Sequence, residues 1–197
     1  VGLGELGLDA KRAGERGIAH QLRWMEAQLA LACELGLPIV LHSVGAGQET
    51  LAVLRKVGVP RAGGIVHSFS GSPEQARQYR ALGLTLSISA AVTRKGFERL
   101  KKAVVELPLE DLVVESDAPD QPPAGLDVGP AIPSPEGYKR VPTESRTPPE
   151  NRPQAIWRTA EAIAELRNRA AGSGAAPLTA AQVLESSRNR LEKVFRL

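Results

Sequence analysis

From Val1 to Glu115 the chain alternates between short β-branched apolar runs and longer segments with apolar residues every three or four positions. Val1 to Leu6 reads as a short strand, and Gln21 to Leu35 as a helix with Leu22, Met25, Leu29 and Ala32 on one face, ended by Gly36. Pro38 leads into a strand at Ile39 to His42. Glu49 to Lys56 follows as a helix with Leu51, Leu54 and the adjoining Val57 on one side. Gly64 to His67 is a strand, and Pro73 to Leu82 a helix with Ser72 as its N-cap and Pro73 at its first position. Leu84 to Ser89 is the fourth strand, Phe97 to Leu107 a helix, and Leu112 to Glu115 the last strand, bounded by Pro108 and Pro119.

The rhythm stops at Gln121. From there to Pro153, prolines interleave with Gly and charged residues, which predicts a long loop acting as a lid, a substrate-contacting arm or an insertion without a role. Gln154 to Ala170 then reads as a helix with Ile156, Ala160, Ile163 and Leu166 toward the core and Arg158, Arg167 and Arg169 in solvent. Gly172-Ser173-Gly174 is a flexible break. Thr179 caps a helix at Ala180 to Ser187, and Asn189 to Phe195 finishes the chain.

Strands alternating with helices predict a parallel sheet with right-handed crossovers, either doubly wound or closed into a barrel. Candidate ligands choose between the two. Glu5, His42, His67 and Asp117 each stand in or just after a strand, and barrel enzymes present their site residues from the C-terminal ends of several different strands. A doubly wound sheet would offer a Gly-rich phosphate loop, but no helix opens behind Gly2-Leu3-Gly4-Glu5-Leu6-Gly7. Imidazoles with carboxylates are the ligands of divalent metals that activate water. Cys33 stands alone within a helical run, where a small apolar role is expected.

Composition adds bounds. The 197 residues are 42% hydrophobic and 24% charged, which is ordinary for one globular domain spanning 1–197. The formal charge of +3 suits an anionic substrate but is too small to argue for nucleic acid alone. No apolar run is long enough to span a membrane, no signal peptide opens the chain, and the single Cys suits a reducing compartment, so a cytoplasmic location is expected.

Four motifs stand in a telling order: Gly4-Glu5-Leu6-Gly7-Leu8-Asp9, Leu37-Pro38-Ile39-Val40-Leu41-His42-Ser43, Val66-His67-Ser68-Phe69-Ser70-Gly71 and Glu115-Ser116-Asp117-Ala118-Pro119. In order and spacing the chain resembles the TatD family of metal-dependent deoxyribonucleases. Asn151-Arg152-Pro153 and Asn189 to Phe195 are lesser matches. The resemblance implies a TIM-type (β/α) barrel that hydrolyses DNA phosphodiesters from an end with two divalent metals. Carried across, Glu5 bridges the metals, His42 and His67 complete one site, and Asp117 binds the other and handles the proton of the attacking water. Glu115 shares the strand face as a supporting carboxylate.

Departures from the family are equally plain. No His-x-His occurs, and the third histidine, His20, lies near a helix start. Five strands are read where a barrel has eight, so the expectation is the C-terminal five of eight β/α units, truncated at the N-terminus. Val44 and Gly45 follow Ser43 where many relatives carry Arg, and the 121–150 connection is longer than usual. On this reading the chain holds one ion's donor set and is a poor nuclease by itself. The alternatives are a related metal-dependent hydrolase acting on another substrate, and an inactive metal-binding protein.

Overall fold

In a computed structural model the described residues are 1–14, 17–125, 151–172 and 176–196. Five parallel strands form one sheet in sequential order: β1 (Leu3–Asp9), β2 (Ile39–Val44), β3 (Gly64–Val66), β4 (Leu84–Ile88) and β5 (Leu112–Val114). Helices α1 (Gly17–Leu35), α2 (Gly47–Val57), α3 (Pro73–Ala81) and α4 (Glu98–Glu106) connect them, and α5 (Ile156–Ala171) and α6 (Ala180–Phe195) follow. The α/β fold with TIM-type strand order is the one the alternation predicted.

The pleat sorts the side chains. Leu6, Leu8, Ile39, Leu41, Val66, Leu84, Leu86, Ile88, Leu112 and Val114 point outward and are buried in one core under the helices. Intervening positions face the other way. There Ile65 and Val113 pack with Val194 of α6, joined by Val40, Leu191 and Phe195. The Phe195 ring lies against Gly2, where a Cβ would stand 3.0 Å from Cε1. Helix α6 therefore covers the N-terminal end of the inner face from β5 across to β1.

Helix α6 continues past the expected Ser187 to Phe195, with Ser187 and Arg190 turned to the sheet. The buried Val114 N–H on the free edge of β5 donates to Ser187 Oγ at 2.9 Å, and Arg190 Nε donates to Thr85 Oγ1 at 2.7 Å. These polar residues serve tertiary partners.

Strand β1 runs three residues beyond the expected Leu6, because Leu8 repeats the outward burial of Leu6. Gly7 permits it: a Cβ there would meet the His42 carbonyl oxygen at 1.9 Å, in a close approach of β1 to β2. Arg167, expected in solvent, instead donates to the Val104 and Leu107 carbonyls at 2.7 and 2.8 Å, satisfying the C-terminus of α4. Arg158 and Arg169 do lie on the surface, paired with Glu161 and Glu165. The N-caps hold as read, since Ser72 and Thr179 both form capping boxes with Gln75 and Gln182. Cys33 is half-buried rather than buried, and partial burial pushes its thiol up. Most of the Pro-rich segment, residues 126–150, lies outside the described residues. No described helix is long and apolar enough to cross a membrane.

Candidate metal and catalytic site

One two-residue step along the strands from the apolar inner layer, the same face turns polar. His42 follows Val40, His67 follows Ile65, and Glu115 follows Val113 by the pleat. Glu5 reaches this level differently. The β1–β2 register shifts between Gly4 and Leu6, so Glu5 sits unpaired in a bulge, mid-strand and not at a strand end as its motif suggested. Asp117 stands three residues past β5 at φ 55, in the left-handed region that turns its carboxylate over the sheet.

All four expected residues line one cavity of about 610 Å³, together with Gly7, Asp9, Arg12, Gln21, Asp120 and Gln121. Glu5 Oε1 lies 2.8 Å from His42 Nδ1 and 3.7 Å from His67 Nε2. Asp117 Oδ1 lies 3.3 Å from the same His67 Nε2. Each ring's outward nitrogen meets a second carboxylate: His67 Nδ1 is 2.8 Å from Glu115 Oε2, and His42 Nε2 is 3.4 Å from Asp9 Oδ2. Carboxylates and imidazoles alternate in one chain, Asp9, His42, Glu5, His67, Glu115.

Glu115 is itself held. It accepts from Ser87 Oγ at 2.5 Å and from the Ser68 N–H at 2.6 Å, the latter fixing Ser68 at φ 44 directly after the ligand strand. Gln121 plays the matching part below Asp117. Its Nε2 donates to Asp117 Oδ2 and, at 2.8 Å, to Ser68 Oγ, while its Oε1 accepts from Ser89 Oγ. The buried Asn151 ties the turn from behind, its side-chain amide donating to the Ser116 and Gln121 carbonyls and its backbone N–H donating to the Pro119 carbonyl. Hydrogen bonds from Asp117 and then Glu115 push the His67 imidazole up to about 10 against its partial burial. The bond to His67 holds the Asp117 carboxyl below its ordinary range.

The profile of the TatD-related DNase family matches residues 1–196. The chain belongs to this family. An uncharacterized metal-dependent hydrolase of Haemophilus influenzae is 31% identical over 144 residues, 72% of this chain and 55% of that protein. A 3′-5′ ssDNA/RNA exonuclease TatD of a Rahnella strain is 36% identical over 121 residues, 60% of this chain and 45% of its own. The crystal structure of YjjV, a TatD homologue from Escherichia coli K12, superposes with a TM-score of 0.77 at 26% identity, covering 100% of this chain and 64% of its own. The chain spans about half the length of the curated relatives it matches.

Within this TatD-family fold the donor set suits a divalent cation. Two imidazole nitrogens and two carboxylates face one space, at separations close to the roughly 3 Å expected between donors that each bond an ion at about 2.0–2.2 Å. An outer carboxylate on each ring is the usual support of a metal-binding histidine. Among the described residues, no group of three or more His, Cys, Asp or Glu side chains stands arranged around an ion; Glu5 and His42, and His67 and Asp117, face one another instead. An ion held there would require these contacts to open.

Gln121 lines the same cavity without any motif marking it, and Asp9 closes the first motif without having been singled out as a candidate. A signal for Asp9 was present, since Glu5, Gly7 and Asp9 share the two-residue period opposite the buried Leu6 and Leu8. Nothing local marks Gln121, whose role depends on β3 and β4.

Proposed function

We propose that this chain carries the metal-binding and catalytic residues of a hydrolase that cleaves DNA phosphodiester bonds, releasing nucleotides from a strand end. The observation that carries the reading is the convergence of Glu5, His42, His67 and Asp117 from four strands on one cavity, with both rings held by outer carboxylates. Glu5, His42 and His67 would hold one ion, and Asp117 faces the same space. A divalent ion there supplies positive charge to a phosphoryl group and makes a bound water acidic.

The chain's own residues supply the rest. Asp117, oriented by Gln121 at Oδ2, accepts the proton of the attacking water at Oδ1, the oxygen that faces His67 in the metal-free chain. Arg12, whose Nε lies 3.7 Å from Asp9 Oδ2, is the one Lys or Arg side chain among the described residues lining the cavity, and it meets a substrate phosphate at the rim. Support for DNA as substrate comes from the exonuclease name of the Rahnella relative and from the net positive charge of the chain.

The test is release of nucleotides from a single-stranded oligonucleotide by metal-stripped protein, before and after addition of Mn²⁺, Mg²⁺ or Zn²⁺. Slow metal-dependent release that Glu5→Gln abolishes is expected of a chain holding one ion's donor set. If the chain takes up metal and hydrolyses a generic phosphodiester but not DNA, the substrate assignment is wrong. If it hydrolyses neither, the hydrolase assignment is wrong.

A further inference from the structure

We propose that Asp9, clamped in place by Gln21, is a positioning residue that aims Nδ1 of His42 at Glu5. The inference rests on the metal-binding reading above and adds two residues to it.

Asp9 is fixed on every side. Its backbone N–H donates to Gln21 Oε1 at 2.7 Å, and Gln21 Nε2 donates back to the Asp9 carbonyl at 2.9 Å. These two bonds imitate a neighbouring strand at the free edge of β1, so a side chain of α1 fixes the last residue of the strand. The Asp9 carboxylate divides its oxygens between two tasks. Oδ1 accepts from the Lys11 and Arg12 N–H groups at 2.9 and 3.2 Å and caps the 3-10 turn Ala10–Arg12, while Oδ2 faces His42 Nε2 at 3.4 Å, with Arg12 Nε 3.7 Å away. The carboxylate is only 16% exposed.

An imidazole that must present one nitrogen lone pair to an ion needs its proton on the other nitrogen. For His42 the inward nitrogen is Nδ1, beside Glu5, and a carboxylate at Nε2 accepts an N–H but cannot donate one. Glu5 faces Nδ1 in the same way at 2.8 Å, so the part of Asp9 is to hold the proton on Nε2 while an ion at Nδ1 takes the place between the ring and Glu5. The His67 ring is turned the opposite way, with Nε2 inward and Nδ1 on Glu115, so the two histidines serve one space through different nitrogens and need separate supports. Gln21 adds precision, because an Asp9 free to move at the strand edge would lose the alignment.

Asp9→Asn separates positioning from simple structure. Asn caps a helical turn as well as Asp does, but its amide can present either a donor or an acceptor to Nε2. Gln21→Leu removes the clamp and leaves the carboxylate. The measurements are the imidazole ¹⁵N–¹H spectrum of His42, with and without Zn²⁺, and the zinc dissociation constant from competition with a chromophoric chelator. Wild type should show a slowly exchanging His42 Nε2–H in both states and zinc at Nδ1. In Asp9→Asn that proton should exchange fast, the His67 Nδ1–H should stay unchanged, and zinc affinity should fall about 10-fold to 100-fold. Gln21→Leu should shift both readouts less, in the same direction. If Asp9→Asn keeps the wild-type His42 spectrum or the wild-type zinc affinity, the proposal is overturned. If wild type takes up no zinc while the metal-free spectra change as expected, the metal-dependent function fails and the positioning of His42 by Asp9 stands.

Discussion

At the N-terminal end of the sheet's inner face, Val40, Ile65 and Val113 meet Leu191, Val194 and Phe195 of α6. Two residues further along the same chain segments stand His42, His67 and Glu115. The lower layer buries apolar surface that needs no partner, whereas in the upper layer each polar group must find another, and does so along the sequence Asp9, His42, Glu5, His67, Glu115. The layers are coupled through the pleat. A one-residue slip of β2 or β3 would send His42 or His67 outward, so the packing that buries Ile65 and Val113 also fixes the register that aims the imidazoles.

Substitutions should therefore separate the layers. At the polar end, Asp117→Asn in a complete version of the enzyme removes a proton acceptor while keeping its shape, so turnover on DNA should fall about 100-fold to 10,000-fold with KM little changed. The melting temperature should move little. Steady-state kinetics and a thermal melt check both, and near-normal turnover removes Asp117 from the mechanism.

At the apolar end the pattern should reverse. Ile65→Ala leaves a cavity beneath α6 and should cost about 2–5 kcal/mol of stability by chemical denaturation. Zinc affinity of the protein that remains folded should stay within about twofold, since the strands keep their register. A selective loss of metal affinity without loss of stability would contradict the division between the layers.

Ser187→Ala acts at the seam between α6 and the sheet. It leaves the buried Val114 N–H without its acceptor and should cost about 1–3 kcal/mol, less than Ile65→Ala. An unchanged denaturation midpoint would show that α6 does not depend on this bond to cover the edge of β5.

The remaining effect is electrostatic and belongs to the metal-free chain. His67 is raised from 6.5 to about 10 by Asp117 and Glu115, so the stability gained from its charge is full below its ordinary value and lost as pH rises through about 10. The depressed Asp117 carboxyl contributes in the other direction, with stability present above its ordinary range and lost as pH falls through the lowered value. Glu115→Gln removes one of the two carboxylates and should lower the His67 midpoint, read from its Cε1–H chemical shift. Since a metal needs the neutral ring, zinc binding at neutral pH should also release protons, measurable in weakly buffered solution.

The alternating strands and helices and the apolar faces of the helices were legible from the two-residue and helical periods, as were the N-cap residues Ser72 and Thr179. Glu5, His42, His67 and Asp117 were legible because each sits in a motif of short range, and the structure brings all four to one cavity. Other features were not legible, for identifiable reasons. The end of β1 was obscured because Gly7 weakens a strand pattern until the neighbouring His42 carbonyl explains it. Arg167 looked solvated because its acceptors lie on α4, about 60 residues earlier. Gln121 reads as a loop residue until Ser68, Ser89 and Asp117 meet around it. In each case the missing information was a partner distant in sequence.

The most direct test of the central claim is the amount of zinc retained per chain after equilibrium dialysis, measured by elemental analysis for wild type, Glu5→Gln and His67→Ala. The polar end of the inner face, if it is a metal site, should retain about one ion per chain in wild type and lose most of it in both variants. Wild-type protein that retains no zinc, or variants that retain as much as wild type, would contradict it.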